Sequence, residues 1–157
     1  MSPNTPCYDY RMTNPMTRIL LALFVLATLA TEVSAQSTTR SFYNSIGQSI
    51  GRATTSGNTT TFRDSVGRTT HRAVTNGNTT TNYDGGGQSI GRATTNGNTT
   101  TFRDSGGRTT GRATTNGNMT TTYDASGKVI SRETTTGNTT TAYDASGRNV
   151  GRFTSNR

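Results

Sequence analysis

Phe42-Tyr-Asn-Ser-Ile-Gly-Gln-Ser-Ile-Gly-Arg-Ala-Thr-Thr-Ser-Gly-Asn-Thr-Thr-Thr61 is followed, twenty residues at a time, by further copies of itself beginning at Phe62, Asn82, Phe102, Thr122 and Ala142. The sixth copy stops short at Arg157. Gly recurs at 47, 67, 87, 107, 127 and 147, and again at 57, 77, 97, 117 and 137. Asp recurs at 64, 84, 104, 124 and 144, with Asn44 in the first copy. A fixed period of this length is the mark of a repeat architecture, in which each unit is one small supersecondary element.

Two turn signals divide each unit. Asp-x-x-Gly, as in Asp124-Ala-Ser-Gly127, suits a type I turn, with Asp capping the first position and Gly accepting positive φ at the last. Asn-Gly-Asn, as in Asn96-Gly97-Asn98, is a strong short hairpin cue, because Asn and Gly both tolerate left-handed backbone. Between the turns lie Arg92-Ala-Thr-Thr95 and Thr99-Thr-Thr-Phe102, rich in the β-branched and aromatic residues that suit a pleated strand. No helical periodicity runs through residues 36–157. The expected fold is all-β, with tandem hairpins forming an elongated sheet or solenoid.

A 40-residue alternation overlies the 20-residue one. The odd units carry Tyr43/Ile50, Tyr83/Ile90 and Tyr123/Ile130, whereas the second and fourth carry Phe62/Thr70 and Phe102/Thr110. Adjacent strand positions face opposite sides. Moving the aromatic by one place therefore predicts that Tyr43 and Phe62 lie on opposite faces. If the Asp-x-x-Gly turn pairs its flanking residues directly, Ile50 shares the face of Tyr43.

Before the array lies a different kind of sequence. Arg18 precedes a 12-residue apolar run, Ile19 to Ala30, and Val33-Ser34-Ala35 supplies a small-x-small site. That is the pattern of a secretory signal peptide. It predicts a signal helix within residues 1–35, a linker at 36–41 and the six repeats, the last truncated, at 42–157. The expected location is secreted, periplasmic or at the cell surface, with membrane attachment only if the signal segment stays uncleaved. Cys7 is the single cysteine and falls in the discarded segment, so disulfides and thiolate metal sites are excluded from the array. Hydrophobic residues make up 27% of the chain, far below the usual share of about 45–50%, and formal net charge is +8.

The unit Tyr123-Asp-Ala-Ser-Gly-Lys-Val-Ile-Ser-Arg-Glu-Thr-Thr-Thr-Gly-Asn-Thr-Thr-Thr141 resembles the RHS or YD repeat of bacterial secreted proteins, as does Tyr143-Asp144-Ala-Ser-Gly147-Arg148. Phe62-Arg63-Asp64 and Phe102-Arg103-Asp104 depart from that pattern by lacking Tyr before Asp. The resemblance covers residues 42–157. It implies β-hairpin repeats winding into a sheet and a role at the bacterial cell surface or in secretion.

No residue set points to catalysis, a cofactor or a resident metal. His71 is the sole histidine and occupies a slot held by Gly or Ser elsewhere, so no Ser-His-Asp constellation forms around it. The Asp ladder lacks the Gly-Gly-x-Gly-x-Asp pattern of a calcium β-roll, and turn capping accounts for it. Arg52, Arg72, Arg92, Arg112, Arg132 and Arg152 form one row if units stack in register, and a row of cations attracts a polyanion. A second basic set, Arg68, Arg108, Lys128 and Arg148, follows the turns. The expectation is a non-catalytic structural or adhesive protein presenting a Thr- and Arg-rich β surface to anionic surface polysaccharide or to copies of itself. A dedicated polyanion- or glycan-binding module is the second reading, and an ice-binding threonine face the third. Nucleic acid is not the expected partner outside the cell.

Overall fold

A computed structural model describes residues 37–156, so the expected signal helix lies outside the described residues. Twelve strands follow one another: β1 (Thr38–Asn44), β2 (Ser49–Ser56), β3 (Thr59–Asp64), β4 (Thr69–Asn76), β5 (Thr79–Asp84), β6 (Ser89–Asn96), β7 (Thr99–Asp104), β8 (Thr109–Asn116), β9 (Met119–Asp124), β10 (Val129–Thr136), β11 (Thr139–Asp144) and β12 (Asn149–Asn156). Every sequence neighbour pairs antiparallel, and β12 pairs back onto β1. The all-β repeat reading holds, but the elongated sheet or solenoid is corrected to a closed barrel.

Two turns alternate around the rims. At Asp-x-x-Gly the Gly67 N–H donates to the Asp64 carbonyl at 3.0 Å, and Gly67 takes φ +88°. One carboxylate oxygen of Asp64 accepts from the backbone N–H of Val66 (3.1 Å) and of Arg68 (2.9 Å), which is the capping role its position predicts. At the other rim Ser56 pairs with Thr59, so the two-residue turn is Gly57-Asn58 rather than Asn-Gly. Gly57 alone has positive φ, at +56°, as in a type II′ hairpin turn with Gly first.

The reason for closure lies at the ninth position of each unit. Tyr43 pairs with Ser49 while Phe42 pairs with Gly51, leaving Ile50 as a β-bulge; Thr70, Ile90, Thr110, Ile130 and Val150 occupy the same place. A bulge bends its strand and increases local twist. It also staggers the register: Ala53 pairs with Phe62 and Phe62 with His71, two residues short of Ala73, the next equivalent of Ala53. That stagger, repeated in every unit, tilts the strands against the barrel axis, as closure requires.

The seam repeats the internal register. Thr39 pairs with Asn156 as Thr59 pairs with Ser56, and Phe42 pairs with Phe153 as Phe62 pairs with Ala53. Thr38–Ser41, the stretch expected as linker, thus begins β1 and completes in space the unit that the linear sequence leaves short.

Faces separate as the aromatic swap predicts. Phe62 and Phe102 point inward, while Tyr83 and Tyr123 lie on the outer wall beneath arginines. Ile50 does not follow Tyr43, because the bulge breaks direct pairing and Ile50 packs against Phe42, Ala53 and Phe153 instead. The inner wall is mostly Ala, Thr and Gly, with aromatics gathered around Phe42, Phe62 and Phe153. Near the Gly-Asn rim, inward Thr–Thr hydrogen bonds of 2.8–3.0 Å tie Thr55 to Thr60, Thr75 to Thr80, Thr95 to Thr100, Thr115 to Thr120 and Thr135 to Thr140. At the seam the corresponding pair is Ser155 and Arg40.

Candidate functional site

The outer wall carries its charge at one level. Arg52, Arg72, Arg92, Arg112, Arg132 and Arg152 are all exposed at equivalent positions of the even-numbered strands. Their cross-strand partners at the same level are Arg63, Tyr83, Arg103, Tyr123, Tyr143 and Tyr43. Twelve outward positions around the waist are therefore arginine or tyrosine. Successive members of the six-arginine row stand two strands apart, about 10 Å at the usual strand spacing.

Some of these side chains hold one another. The guanidinium of Arg72 lies 4.9 Å from the Tyr83 ring centroid, Arg112 4.9 Å from Tyr123, and Arg152 5.3 Å from Tyr43. Such cation–π contacts contribute about 0.5–1 kcal/mol at exposed sites. Arg52 faces Arg63, and Arg92 faces Arg103, directly across the ladder. Like charges in that relation destabilise a sheet by a few tenths to about 1 kcal/mol.

Nothing at this level offsets that repulsion. The carboxylates among the described residues are five turn aspartates at one rim and Glu133 inside the barrel. The side-chain ion pairs found there, Arg68 Nε–Asp64 Oδ2 and Arg148 Nε–Asp144 Oδ2, both 3.0 Å, join two of the five turn aspartates to their own second-set arginines. The Ser146 hydroxyl and the Arg148 backbone N–H hold the Asp144 carboxyl well below the usual carboxylate range. Asp124 is lowered in the same way, by Ser126 first and by the Lys128 backbone second. The rim aspartates are committed to their turns.

The row predicted from sequence is thus brought together, while in the second basic set the Arg68 and Arg148 side chains are used by their turns. Arg63 and Arg103 stand out in the sequence as replacements of Tyr before Asp but were not counted with the cationic row, because they fall outside the 20-residue arginine period. Threonines of each run divide between the walls, with Thr60 inward and Thr59 and Thr61 outward on a curved surface. No flat threonine lattice for ice results. Nor does the arginine waist offer the apolar outer band that a lipid-facing barrel needs. His71 is buried, and its Nε2 lies 3.2 Å from Asn82 Oδ1; burial lowers its pKa. Among the described residues no group of three or more His, Cys, Asp or Glu side chains could hold a metal ion. No family model matches the chain, and no curated protein matches it.

Proposed function

We propose that this chain is a secreted or cell-envelope barrel, without catalytic activity, that binds anionic surface polysaccharide through the arginine–tyrosine girdle of its outer wall. The observation that carries this reading is the pair of like-charged facings, Arg52–Arg63 and Arg92–Arg103, within a waist that contains no carboxylate. A wall selected for stability alone would interleave acids there, because both facings cost free energy. A bound polyanion removes that cost. Tyrosines between the arginines supply flat faces on which sugar rings can lie, and the row spacing of about 10 Å matches the scale of a disaccharide repeat.

Magnitudes favour a long ligand over a small one. An exposed ion pair contributes up to about 1 kcal/mol, so one arginine holds nothing. Several engaged along a single chain reach an affinity in the range of about 1 mM to 1 μM. Self-association through sheet edges loses its support, since a closed barrel has no edges to offer. The kinship with RHS or YD repeats is proposed for the hairpin unit, and the signal segment at residues 1–35 supplies the route out of the cell.

Immobilised polygalacturonate and dextran sulfate, with neutral dextran as control, test the reading by biolayer interferometry. The expected result is saturable binding to both anionic polymers, lost in about 1 M NaCl, where the screening length falls to about 3 Å. Replacing Arg52, Arg72, Arg92, Arg112, Arg132 and Arg152 by Gln should abolish it while the melting curve stays cooperative. Equal binding to neutral dextran, or undiminished binding by the Gln variant, refutes the girdle. Depolymerisation of either polymer by purified protein refutes the absence of catalysis.

A further inference from the structure

Inside the barrel one wall is chemically unlike the rest. The position held by Ala53, Ala73, Ala93, Ala113 and Phe153 in five units is Glu133 in the remaining one. Glu133 is 2% exposed, and neither of its carboxylate oxygens has a hydrogen-bond partner. On the neighbouring strand β9, Thr122 is completely buried, and its Oγ1 is also without a partner. The ladder sets these residues diagonally side by side, since Ser131 pairs with Thr122 and Glu133 with Thr120. Three unpartnered buried oxygens therefore share one patch, flanked by the buried hydroxyl residues Ser131 and Thr120.

A buried polar group left unpaired costs about 1–3 kcal/mol, and a charged one more. Most polar groups inside the barrel avoid that cost. Its other large polar inclusion, His71 with Asn82, is internally bonded, and the Thr–Thr pairs satisfy each other. Glu133 and Thr122 gather three such oxygens on adjacent strands, and a ligand that donates to all three removes the cost.

We propose that the Glu133–Thr122 patch is a binding site within the barrel for a small primary ammonium ion carrying an alkyl body. The donor count and charge agree: an ammonium brings three N–H groups and one positive charge to three acceptors and one carboxylate. The walls beside the patch are apolar. Ala142 lies across the ladder from Glu133, and Ala113 across from Thr122, with Phe102 packed on Ala113. A divalent metal fits less well, because calcium takes six to eight oxygens and magnesium a full octahedron.

The other charged groups leave this site to itself. On the flanking strands Asp124 and Asp144 are engaged by their own turns, and Tyr123 and Tyr143 face outward. Arg40 is on β1, which stands three strands from β10 in the ring, and burial lowers its pKa. His71 and Asp84 lie on β4 and β5, the far side of the ring.

The test uses the full chain refolded with n-hexylammonium chloride, n-hexanol or calcium chloride, followed by native mass spectrometry and titration calorimetry. One n-hexylammonium per chain is expected, with no comparable uptake of n-hexanol or calcium. Affinity should strengthen as pH rises toward 8, because burial holds the Glu133 carboxyl protonated up to about 8 in the unliganded protein. Glu133→Ala installs the residue found at four equivalent positions, so the barrel is retained, and amine affinity should fall by about tenfold or more. The Gln variant of the six girdle arginines should keep amine binding, which separates this site from the outer one. Undiminished amine binding by Glu133→Ala overturns the proposal, as does n-hexanol binding equal to the amine, or calcium uptake in its place.

Discussion

A carboxyl group enclosed by alanine and threonine changes how the whole fold answers pH. Burial raises the Glu133 pKa from 4.5 to about 8, so the folded state binds more protons than the unfolded chain between those values. Stability from this group is fully present below about pH 4.5 and is lost as pH rises through about 8. His71 acts in the opposite direction. Burial lowers its pKa, so the unfolded chain takes up its proton first and stability falls as pH drops below 6.5. Without amine ligand, Glu133→Ala should flatten the alkaline side of a melting-temperature profile and raise stability at pH 9 by about 1–4 kcal/mol, as replacement of buried ionisable groups by apolar ones commonly does. Urea titrations at pH 5, 7 and 9 measure it. An unchanged difference between pH 5 and pH 9 in the variant would show that Glu133 does not govern the slope. His71→Gly, which restores the residue found at Gly91 and Gly111, should remove the loss that begins below pH 6.5 and leave the loss below pH 3.8 that protonation of the turn aspartates brings.

At the scale of the element, the hairpin unit was nearly all legible. Asp-x-x-Gly carries its own mechanism: Gly107 reaches φ +85°, and Asp104 accepts from the Arg108 backbone N–H at 2.9 Å. The second turn was legible in place but not in detail. Asn-Gly-Asn contains two overlapping two-residue turns, Asn-Gly and Gly-Asn, and local preference does not decide between them. Cross-strand packing decides: pairing Asn96 with Thr99 puts Thr95 opposite Thr100, and their hydroxyls bond at 2.9 Å inside the barrel. Moving the turn to Asn96-Gly97 would shift the register by two residues, setting Thr95 opposite Asn98 and Thr100 opposite Ala93, and that bond would be lost. Gly97, at φ +56° with open space where a methyl would sit, isolates the backbone contribution of this turn. Gly97→Ala should cost about 1–2 kcal/mol through left-handed strain alone, whereas Asn96→Ala should cost a few tenths. Comparable losses in both variants would argue for the Asn-Gly turn after all.

Closure belongs to the whole molecule, and the repeat alone does not disclose it. The period states that hairpins follow one another; it says nothing of how far each is rotated from the last. That rotation comes from the bulges at Ile50, Thr70, Ile90, Thr110, Ile130 and Val150, residues as ordinary in a straight strand as in a bent one. The girdle inherits the same limit, because the arginine period was plain while the ring it forms depends on β12 meeting β1. A seam that reproduces the internal register has a testable consequence. Since Thr39 faces Asn156 as Thr99 faces Asn96, a Gly-Asn pair joining Asn156 to Thr39 should complete a sixth type II′ turn. The chain can then be opened at another such turn, beginning at Asn98 and ending at Gly97, with every ladder preserved. Such a permutant should give the parent's β spectrum and melt within a few degrees of it, because chain order contributes little once the ring is closed. It should also retain the polygalacturonate affinity of the parent, since all six arginines of the row return to the same waist. A permutant that stays unfolded while the parent folds would mean that β1 and β12 do not pair. The molecule would then be an open array whose outer arginines form an arc instead of a ring.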